Sequence, residues 1–167
     1  QILRLSGNPI EDLKALRYLQ KLQILEGQDT HIRSDMAPIR SLVKLDLSGS
    51  PLDSAWECGL LPKLEFLDLS ATGILSLSGL DSLPALRDLD LSGTQIRRID
   101  AVEFSPALKL LDISGTPVVS LQPLSSARAL EQLEMDATQI EDLSPLAEVS
   151  ALRRVYTDRT GIDEVKA

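Results

Sequence analysis

Residues 86–96 read LRDLDLSGTQI, and 22 residues further on, at 108–118, the chain reads LKLLDISGTPV. The same phrase lies at 42–52 (LVKLDLSGSPL), 64–74 (LEFLDLSATGI) and 130–140 (LEQLEMDATQI). Looser copies stand at 22–32 (LQILEGQDTHI) and, in part, at 2–10 (ILRLSGNPI), and a decayed one begins at Leu152 as LRRVYTDRTGI. Self-similarity at a fixed period marks a stack of units, none of which can bury its apolar face alone. The copies run through the whole chain, so residues 1–167 are expected to form a single repeat domain of about eight coils with incomplete terminal coils. Gln1 begins inside a repeat, so the chain is expected to be a segment of a longer protein.

Each phrase carries the elements of one coil. In x-L-x-L-x, side chains alternate in direction, so the leucines point one way and the residues between them the other. Stacked copies then make a parallel sheet over one continuous core. Parallel strands need crossovers of about a dozen residues, which the second half of each repeat supplies. Within these, Ser144-Pro145-Leu146 reads as a helix start with Ser144 as N-cap and Pro145 in the first turn. Pro62, Pro84 and Pro106 stand two residues before the next phrase, where a missing N–H is tolerable. Thr72, Thr94, Thr116, Thr138 and Thr160 share one place in the repeat. Buried hydroxyls need partners, so they are expected to bond the backbone of the turn that leaves each strand. One coil is irregular: Leu22 to Leu42 spans 20 residues, Gly27 replaces a strand leucine and Asp35 falls near an apolar place. It should be the loosest coil or a bend.

The pattern L-x-x-L-x-L-x-x-T-x-I resembles the leucine-rich-repeat family over essentially the whole chain. Its short repeat is similar to the subclass found in bacterial internalins and related regulatory proteins. The chain departs from the family in one column, where Thr, or Ser50, stands in place of the usual Asn; only Asn8 keeps it. The resemblance implies a right-handed α/β solenoid, an arc with a concave parallel sheet and irregular or short helical (3-10) crossovers on the convex side. It also implies a module that binds other proteins.

Composition narrows the chemistry. Aromatics are only 3% of residues, so the core must be built from Leu, Ile, Val and Ala. The formal net charge of −8 opposes binding to nucleic acid or anionic membrane surfaces. No apolar run approaches the ~20 residues of a membrane span, so no membrane insertion is expected. A single cysteine, no acceptor for N-glycosylation and no visible signal peptide lean towards an intracellular site as an expectation. His31 and Cys58 are the only residues of their kinds, too few for a structural zinc site or for a triad. No GxxxxGK loop is present. The recurring Leu-Ser-Gly-Thr is better explained as a turn in every coil than as a nucleophile elbow. Carboxylates on an open sheet lack the water-excluding cleft that tunes catalytic pKa values. No cofactor, no metal and no enzymatic activity are therefore expected within these residues.

The informative side chains lie around the inward leucine of each strand. The residue following it reads, coil by coil, Arg4, Glu26, Asp46, Asp68, Asp90, Asp112, Glu134, Tyr156. Six consecutive acids at ~4.8 Å spacing make a ladder whose like-charge contacts each cost on the order of 1 kcal/mol in water. A basic partner would relieve that strain; solvated carboxylates of a common family wording, Leu-Asp-Leu-Ser, are the other reading. The residue preceding that leucine reads Ile2, Ile24, Lys44, Phe66, Asp88, Leu110, Gln132, Arg154. Apolar anchors in a polar frame are the composition of a protein-binding surface. The expected contact residues on the concave face are Asp46, Phe66, Asp68, Asp88, Asp90, Leu110, Asp112, Glu134, Arg154 and Tyr156. Trp56 and Cys58, in the crossover SAWECGLLP, are expected to pack on the convex side.

These features point to a recognition module whose partner is another protein, with a basic segment as one form of it. A structural solenoid that self-associates through open ends and a recruiting domain for an enzyme elsewhere in the parent protein are the competing readings.

Overall fold

The computed structural model describes residues 1–33, 38–54, 61–80 and 83–160. The expectations for Asp35, Trp56 and Cys58 lie outside the described residues.

Among the described residues, eight strands of three residues each form one parallel sheet in chain order: β1 (Ile2–Arg4), β2 (Ile24–Glu26), β3 (Lys44–Asp46), β4 (Phe66–Asp68), β5 (Asp88–Asp90), β6 (Leu110–Asp112), β7 (Gln132–Glu134) and β8 (Arg154–Tyr156). All seven pairings keep one register, so Leu25, Leu45, Leu67, Leu89, Leu111 and Leu133 stack into a single file. These six are at most 2% exposed. A second file, Leu47, Leu69, Leu91, Ile113 and Met135, is buried beside it. The alternation read from the sequence is therefore the alternation of the sheet.

The chain leaves each strand through a turn that two features hold. Each threonine hydroxyl donates to the carbonyl three residues back: Thr72 to Leu69 (2.6 Å), Thr94 to Leu91 (2.7 Å), Thr116 to Ile113 (2.6 Å) and Thr138 to Met135 (2.8 Å). The residue before each of these threonines adopts a left-handed conformation. Gly93 (φ 68°) and Gly115 (φ 67°) do so freely, whereas Ala71 (φ 53°) and Ala137 (φ 55°) carry a Cβ there. A Cβ on Gly93 would meet nothing closer than 3.7 Å, so only backbone strain opposes it. Gly93→Ala should therefore cost about 1 kcal/mol and Ala71→Gly should gain a similar amount, each the backbone strain less the extra freedom that glycine has in the unfolded chain. Urea denaturation of the two variants checks the opposite signs.

On the convex side, 3-10 turns run over Lys14–Tyr18, Asp100–Phe104, Gln122–Ser126 and Ser144–Glu148. Ser144 is not the N-cap that its sequence suggests. It is the first residue of its turn, and its N–H donates to the Asp142 carboxylate at 2.8 Å. Lys14 leans on Asp12 and Gln122 on Ser120 in the same way. The capping side chain thus sits two residues before the turn, as in an Asx-turn. Pro62, Pro84 and Pro106 occupy the second place of tight turns closed by Leu64, Leu86 and Leu108 N–H groups. Proline presets the backbone angle there.

The irregular coil keeps its register, with Ile24 opposite Lys44 and Leu25 opposite Leu45. Gly27 leaves a gap that the next coil's Leu47 fills, since a Cβ there would meet Leu47 Cδ2 at 3.2 Å. Leu25, Ile32, Ile39 and Leu42 are fully buried. The described part of this coil is therefore not loose: the shortening falls in the crossover, where no strand pairing depends on it.

Candidate partner-binding face

Because the leucine of each strand from β2 to β7 is buried, the residues either side of it face away from the core on the concave side. The structure brings the two expected columns into this one face, in the register read from the sequence. It changes the character of the acidic one. Asp68, Asp90 and Asp112 are half-buried rather than freely solvated. Asp46 is only 7% exposed. The cause is the serine two residues on. Ser70 donates to Asp68 through its N–H (2.9 Å) and hydroxyl (2.7 Å), and Ser92 does the same to Asp90 (2.9 and 2.7 Å). Ser48 repeats this on Asp46, and the Ser114 N–H reaches Asp112 at 2.8 Å. Each aspartate therefore braces the turn leaving its strand. Asp46 accepts the Gln28 amide as well, so it has little surface left to offer a partner. The D-x-S spacing recurs in every one of these phrases, but spacing alone does not reveal the brace.

Burial raises the Asp68 carboxyl above its ordinary range; the Ser70 bonds oppose this, and repulsion from Asp90 and Asp46 adds to it. Burial likewise raises Asp88, against the pull of Arg87 and Lys109. The centre of the face thus holds negative charge at a cost.

Its ends do not. Glu26 is gripped by Arg4 at 2.6 Å and approached by Lys44 at 3.9 Å. Glu134 takes a bond from Gln132. Just outside the face, Glu65 pairs with Arg87 (3.6 Å) and Glu131 with Lys109 (2.7 Å). This flanking ladder has its signal in the sequence, as a column of charged residues at the repeat spacing: Glu65, Arg87, Lys109, Glu131 and Arg153. Among the described residues, no cation lies within ion-pair distance of Asp68, Asp88, Asp90 or Asp112.

Two apolar side chains stand among those carboxylates. Phe66 is 39% exposed and Leu110 half-buried, on either side of Asp88. Between them lies a shallow hollow of about 190 Å³, margined by Lys44, Asp68 and Asp90. Roomier troughs of 460 and 620 Å³ lie between successive turns on another side, beside Arg97, Arg98, Val119 and Glu141. They recur coil after coil, as gaps between stacked turns must. At the last strand Arg154 and Tyr156 are exposed. Val155, in the inward file, is 38% exposed where its neighbour Leu133 is fully buried. His31 is exposed, as a loop histidine.

Among the described residues, no three of His, Cys, Asp or Glu converge to hold a metal ion, and no helix is long and apolar enough to cross a membrane.

Fold and face together define a leucine-rich-repeat arc. The family of leucine-rich repeats (2 copies) matches residues 62–103. Among solved structures, internalin C2 of Listeria monocytogenes superposes with a TM-score of 0.92 at 30% identity, over 99% of this chain and 74% of that one. The chain belongs to the internalin-like leucine-rich-repeat family. A leucine-rich-repeat protein of Leptospira interrogans (24% identity, TM-score 0.89) matches over 98% of this chain and 44% of its own. The plant peptide hormone receptor RGFR1, in complex with RGF2, shares the fold at 16% identity and a TM-score of 0.79, over 97% of this chain and 29% of the receptor. No curated protein sequence matches the chain significantly. Proteins of this fold are typically protein-interaction modules.

Proposed function

We propose that residues 1–167 act as one recognition module, which holds a partner protein on the concave face. The observation that carries this reading is the contrast along the face: Glu26 at one end is ion-paired within the chain, while among the described residues Asp68, Asp88, Asp90 and Asp112 at the centre meet no cation and flank exposed Phe66 and half-buried Leu110. A surface of apolar anchors in a charged frame is suited to a protein and offers little to a small molecule. RGFR1 in complex with RGF2 is a case of the same fold solved with a bound partner. The contact residues of this proposal are Phe66, Asp68, Asp88, Asp90, Leu110 and Asp112, with Glu134, Arg154 and Tyr156 at one margin. Recruitment of a substrate for a catalytic domain elsewhere in the parent would use the same surface.

The test is affinity capture from cell extract, comparing the wild type with the Asp68→Asn, Asp90→Asn, Asp112→Asn triple variant. Asparagine keeps the oxygen that accepts the serine N–H, so circular dichroism should show the fold intact. Partly exposed charge pairs contribute about 0.2–1 kcal/mol each, so capture should weaken about tenfold in the triple variant, and wild-type capture should fall as salt rises. Equal capture by both proteins at every salt concentration would remove the concave centre as the site.

A further inference from the structure

Three side chains in a row on neighbouring strands define the centre of the face: Phe66 on β4, Asp88 on β5 and Leu110 on β6. At ~4.8 Å per strand, the two apolar residues spring from backbones about 10 Å apart, with the carboxylate between them. The result is a notch with apolar walls and an acid at its floor. Asp90 lies two residues along the same strand, so the two β5 carboxylates rise about 7 Å apart on one face.

The local cations do not fill it. Arg87 and Lys109 feel Asp88 at a distance but are engaged by Glu65 and Glu131. Lys44, in register beside Phe66, lines the hollow on the side away from Asp88 and lies 3.9 Å from Glu26. Unlike Asp68, Asp90 and Asp112, Asp88 accepts no hydrogen bond among the described residues, so it braces no turn. Its half-buried charge has no structural task within the coil.

We propose that the notch between Phe66 and Leu110 receives an arginine side chain, presented by the partner on a segment with apolar neighbours. This rests on the concave-face reading above and names the group that is bound there. An arginine stem can lie along apolar walls while its head stays polar. A guanidinium is weakly hydrated, stacks on an aromatic face and carries five N–H donors in a planar fork. The fork can donate to Asp88 and Asp90 together, which the compact lysine ammonium spans poorly. Desolvating the site strengthens that attraction, because the carboxylates are already half-buried.

The experiment uses the full chain and short acetylated, amidated peptides with one arginine between leucines. The same peptides with citrulline, a neutral isostere, or lysine are the comparison, and affinity is read by calorimetry. The arginine peptide should bind; lysine should bind more weakly, and citrulline about tenfold more weakly. Asp88→Asn and Phe66→Ala should each lower arginine-peptide affinity about tenfold, while Val119→Ala, an exposed apolar residue on another side, should not. Thermal melts establish that each variant is folded. Equal binding of arginine and citrulline peptides, wild-type affinity in Asp88→Asn, or no binding of any arginine peptide would each overturn the proposal. Binding that survives citrulline and Asp88→Asn but fails in Phe66→Ala would keep the concave face as a docking surface while removing arginine from it. Loss of the concave reading itself shows separately, as equal capture by the triple asparagine variant.

Discussion

Leu111→Ala is expected to destabilise the protein by about 2–5 kcal/mol, the range for truncating a buried leucine. Leu111 is fully buried in the middle of the inward file, in register with Leu89 before it and Leu133 after it. Removing three carbons there opens a void between three coils at once. Each coil touches only its neighbours, so the solenoid's stability is close to a sum of coil and interface terms. A cavity at β6 weakens both interfaces of that coil, and it should partly uncouple the segments either side. Urea denaturation should therefore show a lower midpoint and a shallower slope, the mark of lost cooperativity. Val155→Ala is the matched control: the same file and a similar truncation, but at a residue 38% exposed with no coil packed on its outer side among the described residues. It should cost well under half as much. A loss below about 1 kcal/mol for Leu111→Ala would contradict its place in the core.

The fold was legible because one signal, a fixed period, carried nearly all of it. Given that the phrases stack in register, the inward files, the sheet order and the face shared by Phe66, Asp88 and Leu110 all follow. Burial on that face was less legible. A residue between two strand leucines points outward by alternation alone, but its exposure depends on what the neighbouring chain places beside it. Ser70 folding back onto Asp68, and Ser48 with Gln28 onto Asp46, turn outward residues into half-buried or buried ones. The same kind of short-range bond misplaced the cap of the last 3-10 turn. Serine before proline resembles a cap, yet Asp142 is the acceptor. Side-chain to backbone bonds over two residues leave no periodic trace, so the repeat does not announce them. The irregular coil shows the converse. A deletion that looked disruptive in the sequence is absorbed where no pairing constrains it, and Leu47 closes the gap at Gly27.

Thr94→Val should cost about 1–3 kcal/mol, the penalty for leaving a buried polar group without its partner. Thr94 is fully buried, and its hydroxyl donates to the Leu91 carbonyl at 2.7 Å. The backbone N–H of Thr94 reaches the same oxygen only at 3.3 Å. Valine matches the shape but supplies no donor, so the carbonyl would keep one long bond in a place closed to water. If the column were merely buried β-branched filler, valine would serve equally well or better, since it buries no hydroxyl. Thr94→Ser separates the two accounts. It keeps the donor and loses a methyl; Ser50 shows a serine hydroxyl satisfied in the equivalent place, although by Gly27 O of the preceding coil (3.2 Å) and the Thr30 hydroxyl (2.9 Å) and not by the carbonyl three residues back. The expected order of stability is wild type, then Thr94→Ser, then Thr94→Val, by urea denaturation. Valine above serine would mean that packing, and not the turn bond, keeps threonine in this column.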